Sequence, residues 1–218
     1  MERTVNLRNS QIAKNARLYL DRESFLDGKS KIKSYLEIGV YAGDYTDLVI
    51  NSLSPNNITL IDWFGKKDFA QLGSIQESRF SSETHKDFII NKYSETNATV
   101  LAGNSHSILI DLIKNNQTFE YIYIDADHSF AGCYGDLLLS SQLIDNNGII
   151  GLNDFTMLFW EEGGDCGVVD AVSYFLENNQ DWEIIGYALN PKNNYYGDIY
   201  LQKATPMGLE PTTPTVTG

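Results

Sequence analysis

The first stretch of the chain able to do chemistry is Y-L-E-I-G-V-Y-A-G, Tyr35 to Gly43, where an apolar run carrying the carboxylate Glu37 passes into Gly39 and Gly43. Glycines in such a turn let the backbone bend tightly and approach a ligand closely. A dinucleotide-binding G-x-G-x-x-G sets its second glycine against a pyrophosphate, but two residues after Gly39 this chain has Tyr41, which disfavours that ligand. Further candidates follow in order. Asp62 and Trp63 stand in I-T-L-I-D-W-F, and Gly103-Asn104-Ser105 follows another short apolar run. Two richer segments are Y-I-Y-I-D-A-D-H-S-F, with Asp125, Asp127 and His128, and N-N-G-I-I-G-L-N-D-F, with Asn153 and Asp154. A strand-terminal aspartate is as readily a turn cap, and Asn104 or Ser105 a helix N-cap, so these alternatives stay open at this stage.

These residues need elements to hold them. Short apolar runs bounded by turn residues predict strands over Ser34 to Ile38, Ile58 to Ile61, Thr99 to Leu101, Tyr121 to Ile124, Gly148 to Leu152, Trp182 to Leu189 and Asp198 to Gln202. Helical spacing predicts helices over Tyr45 to Leu53, Lys86 to Tyr93, Ile108 to Lys114, Tyr134 to Ile144 and Val168 to Asn178. Gly65 to Glu83 has little periodicity. This alternation implies an α/β fold, a doubly wound, Rossmann-like, seven-stranded and mostly parallel sheet with helices on both faces. The last two strands, joined without a helix, imply an antiparallel hairpin at one edge. In such a sheet Asp125 and Asp154 end adjacent strands at the carboxyl edge, where ligands bind. Ahead of the domain, expected over residues 31–203, Leu7, Ile12, Ala13, Ala16, Leu18 and Leu20 have helical spacing over Asn6 to Phe25, which predicts an N-terminal helical extension over residues 1–30. After Lys203 repeated prolines and absent apolar periodicity predict a disordered tail over residues 204–218.

The pattern E-x-G-x-x-x-G resembles the first motif of class I S-adenosylmethionine-dependent methyltransferases. The segments I-D-A-D-H-S-F, N-N-G-I-I-G-L-N-D-F and G-V-V-D-A-V-S-Y-F together resemble a bacterial methyltransferase family related to macrolide-sugar and catechol-type O-methyltransferases, over roughly Tyr35 to Gln202. The resemblance implies a cofactor, S-adenosyl-L-methionine, held by Glu37, Gly39, Gly43, Asp62, Trp63, Asn104, Ser105 and Asp125. Asp62 would accept the ribose hydroxyls, and Trp63 would pack on the adenine. It also implies a divalent cation on Asp125, Asn153 and Asp154, with His128 as general base and Asp125 beside it in catalysis. Hard oxygen ligands suit Mg2+ or Mn2+, and a histidine titrates near neutrality. Asn153 departs from the pattern, because metal-dependent relatives often carry a second carboxylate there. The implied reaction is O-methylation of a small hydroxylated molecule such as a sugar or glycoside.

Composition limits the partners. Sixteen basic against 29 acidic residues give a net charge of −13, which repels phosphate backbones and anionic lipid heads. A small-molecule substrate is expected, with no nucleic acid and no membrane, and a homo-oligomer as the one protein assembly. Met1 to Asn15 lacks an apolar signal core, so a cytoplasmic location is expected. Cys133 and Cys166 lack metal-motif spacing and read as ordinary thiols. His85 and His106 read as structural, and Asp136 as a solvated helix residue. Phe155 to Gly167, aromatic and then glycine-rich, reads as a substrate lid, with Gly65 to Ser82 as a second pocket-shaping segment. Two rival functions stay in view: a non-catalytic S-adenosylmethionine-binding scaffold of the same fold, and a nicotinamide-dependent oxidoreductase.

Overall fold

In the computed structural model, which describes residues 11–64, 84–156, 158–159, 164–189 and 197–204, the predicted apolar runs become strands that end level with one another. These are β2 (Ser34–Ile38), β3 (Asn57–Asp62), β4 (Ala98–Ala102), β5 (Phe119–Ile124) and β6 (Ile144–Leu152). All five are parallel, and Ile38 pairs with Ile61 on one side and Ile124 on the other, while Ile124 pairs with Leu152. The next residue on each strand therefore emerges at one edge: Gly39, Asp62, Asp125 and Asn153. With β1 (Ile12–Tyr19), β9 (Trp182–Leu189) and β10 (Gly197–Lys203), the order is β1-β9-β10-β6-β5-β2-β3-β4. The winding reverses between β2 and β5, and that reversal opens a crevice at the carboxyl edge.

Side chains of each strand divide between two cores, as a period of two requires. Leu36, Ile38, Ile122, Ile124, Ile150 and Leu152 face α4 (Ser105–Lys114), α5 (Phe130–Leu143) and α6 (Val168–Asn178). Tyr35, Leu60, Tyr121, Tyr123 and Tyr200 face α1 (Arg22–Leu26), α2 (Asp44–Leu53) and α3 (His85–Lys92). The second face thus carries buried hydroxyls, which set up the polar network below. The β9–β10 hairpin is antiparallel, as expected, and among the described strands of the main sheet β10 alone runs against its neighbours.

The N-terminal reading is corrected. The helix expected over Asn6 to Phe25 is, within the described residues, the strand β1 followed by the short α1. β1 lies parallel to β9, with Ile12 opposite Ile184 and Tyr19 opposite Ala188, and this makes the main sheet eight-stranded rather than seven. An open sheet edge presents unpaired N–H and C=O groups, and satisfying those of β9 outweighs the local helical spacing. The apolar residues do not form a buried stripe: Ala13 is buried, whereas Leu18 and Leu20 are 69% and 65% exposed. Helix begins only where Asp21 caps it, accepting the Ser24 amide at 2.7 Å. Residues 11–26 thus belong to the sheet and its covering layer rather than to a separate helical extension. Within the segment read as a lid, β7 (Leu158–Phe159) and β8 (Gly164–Asp165) form a two-residue antiparallel ladder. Residues 157 and 160–163 of that segment, the second segment over Gly65 to Ser82, and the tail beyond residue 204 lie outside the described residues. No helix among the described residues is long and apolar enough to cross a membrane.

Candidate active site

The loop from Gly39 to Gly43 is shaped by its neighbours on every side. Gly39 has φ +86°, and a Cβ there would fall 1.8 Å from the Asp125 carbonyl oxygen, so the adjacent strand end itself demands glycine. Gly43, at φ +75°, caps α2; a Cβ there would lie 2.2 Å from the Tyr93 hydroxyl. Between them Tyr41 takes φ +47°, a left-handed conformation uncommon for a bulky residue. Asp62 pays for this turn: its Oδ2 accepts the Val40 and Tyr41 amides at 2.8 and 3.0 Å, and Oδ1 the Phe64 amide at 2.9 Å. Three of the about four acceptor positions of a carboxylate are thus taken by backbone. Trp63 beside it is 66% exposed.

Glu37 is buried and lies below this loop. Tyr35 and Thr46 donate hydroxyl bonds to its Oε2, each at 2.6 Å, and tie β2 to α2. Burial pushes its carboxyl up to about 8, against those two hydrogen bonds. Asn104 is the N-cap of α4, accepting the Ser107 amide at 3.1 Å. Gly103 donates its amide to the Asp62 carbonyl at 3.0 Å, joining this turn to the same crevice. Ser105 and His106 face Asp136, whose placement corrects the solvated reading: it is 1% exposed on α5, with His106 Nε2 at 3.4 Å. Burial raises the Asp136 carboxyl to about 6, opposed by Ser105 and His106. His106 keeps its structural role between α4 and α5.

The second cluster gathers on the ends of β5 and β6. His128 Nε2 lies 3.5 Å from Asp125 Oδ1 and 3.2 Å from Asp154 Oδ2. The ligand-capable atoms of the three residues lie within 4.8 Å of one another, a geometry that could hold a metal ion. Asp154 adopts φ +52°, which turns it back toward this group. Asn153 does not present its amide to the group in the same way: Nδ2 donates to Asp125 Oδ1 at 2.9 Å, and Oδ1 accepts from Arg22 at 2.8 Å. Burial works against a charged His128, yet hydrogen bonds and charge from Asp125 and Asp154 raise it to about 10. Burial likewise opposes ionisation of Asp125, but His128, Asn153 and Arg22 hold its carboxyl below the ordinary value.

Sequence reasoning missed Arg22 and Asp198. Arg22 projects from α1, bonds Asp198 Oδ1 at 3.0 Å, and lies 5.2 Å from the centre of the Tyr45 ring. Asp198 is buried on β10, where Tyr123 and Tyr200 donate to its Oδ2 at 3.0 and 3.2 Å; burial raises it to about 6, opposed by Arg22 and Tyr123. Asp198 had a readable signal, a carboxylate inside an apolar strand, which needs a buried partner. Arg22 had none, because its partners lie 131 and 176 residues away. The loop after β6 closes near this cluster, with the Gly167 amide donating to the His128 carbonyl at 2.8 Å and the Cys166 thiol 3.4 Å from the Asp154 carbonyl oxygen.

A profile of a methyltransferase-domain family matches residues 36–155, more than half of the chain. Among solved structures, an O-methyltransferase from Bacillus cereus in complex with SAH aligns with a TM-score of 0.55 at 16% identity, over 79% of this chain and 74% of its own. The O-methyltransferase TomG from Streptomyces achromogenes, involved in tomaymycin synthesis and solved with SAM, aligns at 0.52 and 14% identity, over 80% and 74%. Aeropyrum pernix fibrillarin with natively bound S-adenosyl-L-methionine aligns at 0.56 and 10% identity, over 82% and 72%. These likenesses show the fold. No curated protein sequence matches the chain.

Proposed function

Because the chain belongs to the methyltransferase-domain family matched over residues 36–155, we propose that it transfers the methyl group of S-adenosylmethionine to a hydroxyl of a small molecule, of the sugar or glycoside kind, in the cytoplasm and with a divalent cation. One observation carries this reading: Asp125, His128 and Asp154 converge at the strand edge against which Gly39 packs. The donor loop and the acid–base cluster are thereby neighbours, as methyl transfer requires.

The donor set fits a hard cation such as Mg2+ or Mn2+, since Asp125 and Asp154 each offer carboxylate oxygen. Asn153 takes a supporting part, its N–H on Asp125 and its oxygen on Arg22. Bound there, the cation would lower the pKa of the acceptor hydroxyl. His128 Nε2 lies 3.5 and 3.2 Å from the two carboxylates, whose charge raises the imidazole to about 10. Positive charge between the carboxylates would favour the neutral form of the neighbouring imidazole, and His128 would then be the group placed to hold the acceptor's proton. S-adenosylmethionine, when bound, would supply the sulfonium methyl group, which would pass to the acceptor oxygen as the S–CH3 bond breaks, and His128 would hold the acceptor's proton. On the donor side Asp62 keeps one acceptor position for a ribose hydroxyl, and Trp63 offers a stacking face.

Methyl transfer to a panel of hydroxylated sugars and glycosides, assayed with Mg2+ and then with a chelator, tests the reading. Turnover that requires the cation supports it, and turnover indifferent to the chelator removes the cation from the mechanism.

A further inference from the structure

The helix α3 lies outside the acid–base cluster and holds none of the residues that the motifs point to, yet it grips the donor loop. His85 donates from Nε2 to the Tyr41 carbonyl at 2.5 Å, Lys92 from Nζ to the Ala42 carbonyl at 2.8 Å, and Tyr93 places its hydroxyl 2.7 Å from the Gly43 carbonyl. Three consecutive carbonyls of the loop are thus each met by a side chain of one short helix and its C-cap. Positions 85, 92 and 93 share one helical face, being seven and eight residues apart. The grip extends to α2, where Asp47 lies 2.6 Å from Lys92 Nζ and 2.9 Å from the Tyr93 hydroxyl. From the other side Asp62 takes the loop amides of Val40 and Tyr41.

We infer that His85, Lys92 and Tyr93 are positioning residues for the methyl donor: they hold the loop in its ligand-ready shape before the donor arrives. The inference rests on the reading of this loop as the donor site. A left-handed Tyr41 between two glycines is costly unless its surroundings over-determine it, and the α3 contacts supply that constraint from the carbonyl side. They also explain Gly43, whose missing side chain makes room for the Tyr93 hydroxyl. Without the contacts the loop samples other conformations, and donor binding must first select the competent one, which weakens the apparent affinity.

The test measures S-adenosylhomocysteine affinity by calorimetry, melting temperature, and amide hydrogen exchange of residues 40–43 in the ligand-free protein. Tyr93→Phe and Lys92→Met should each weaken affinity by about fivefold, the scale of one hydrogen bond, and should speed exchange in the loop. Lys92→Arg should restore most of the lost affinity. Ile90→Ala, on the exposed side of α3, should leave both readouts as in the wild type. A lowered melting temperature with unchanged affinity and exchange would reduce α3 to a packing element and overturn the inference. If the wild type fails to bind S-adenosylhomocysteine, the donor reading falls instead, and loop exchange in the variants still decides whether α3 holds the loop.

Discussion

Around Gly39 to Gly43 the backbone is held by hydrogen bonds from both sides, to Asp62 on the amide side and to His85, Lys92 and Tyr93 on the carbonyl side. Around Asp125, by contrast, the side chains are held largely by charge: two carboxylates share one imidazole, and Arg22 pairs with Asp198 while donating a hydrogen bond to Asn153. The two regions touch where Gly39 packs on the Asp125 carbonyl, yet they are built for different tasks. On the proposed reading, the donor side is held in shape by these backbone hydrogen bonds. On the same reading, the acceptor side carries its charge in Asp125, His128 and Asp154, whose protonation a bound cation would change. A site that binds one constant ligand and a second, proton-releasing one is well served by this division.

The sharpest way to separate the halves is His128→Ala. It should lower methyl transfer by about 10² to 10⁴, the usual worth of a positioned general base, while S-adenosylhomocysteine affinity stays within twofold or so, about 0.4 kcal/mol. Equal losses in both would merge the two halves into one. Gly39→Ala attacks the point where they meet. Its Cβ must displace the Asp125 backbone, and its φ is left-handed, so chemical denaturation should show a loss of about 2 to 4 kcal/mol. A variant as stable as the wild type would show that the strand ends are not locked together.

Arg22→Met probes the charge balance. It strands the buried Asp198 carboxylate, so a stability loss of about 2 to 3 kcal/mol at pH 7.5 is expected, and the double change with Asp198→Asn should recover most of it. No recovery would mean that Arg22 acts through packing on Tyr45 rather than charge. Glu37→Gln probes the buried carboxyl below the loop, and its effect depends on pH. The folded-state carboxyl of Glu37 is raised from 4.5 to about 8, so the folded protein holds its proton where the unfolded chain has released it. Stability from this group is full below pH 4.5 and is lost as pH rises toward 8. Glu37→Gln should therefore flatten the fall in melting temperature between those limits and leave the variant the more stable one at pH 8. A wild type that gains stability over that range would contradict the assignment.

How much of this could be read in advance follows from where each residue sits along its element. Gly39, Asp62, Asp125 and Asn153 terminate strands or follow them directly, Glu37 lies one residue before the end of β2, and Asp154 comes one residue after Asn153, so local alternation is enough to place them at or next to one edge. β1 could not be read this way. Its apolar residues suit a helix locally, and only its pairing with β9, more than 160 residues later, decides otherwise. Asp136 was misplaced for a related reason: on helix α5, which is buried along much of its length, the face turned to His106 is set by the packing of α4. The α3 contacts were equally hidden, since His85, Lys92 and Tyr93 match no motif and matter only through the carbonyls that they reach.

The central claim is that donor binding and cation binding occupy distinct halves of one crevice, and a paired calorimetric titration of Asp154→Ala tests it most directly. Titrated with Mn2+, the variant should lose at least about tenfold in affinity, or 1.4 kcal/mol, because one of two carboxylate donors is gone. Titrated with S-adenosylhomocysteine, it should match the wild type. Unchanged Mn2+ affinity, or a parallel loss of S-adenosylhomocysteine binding, would contradict the account.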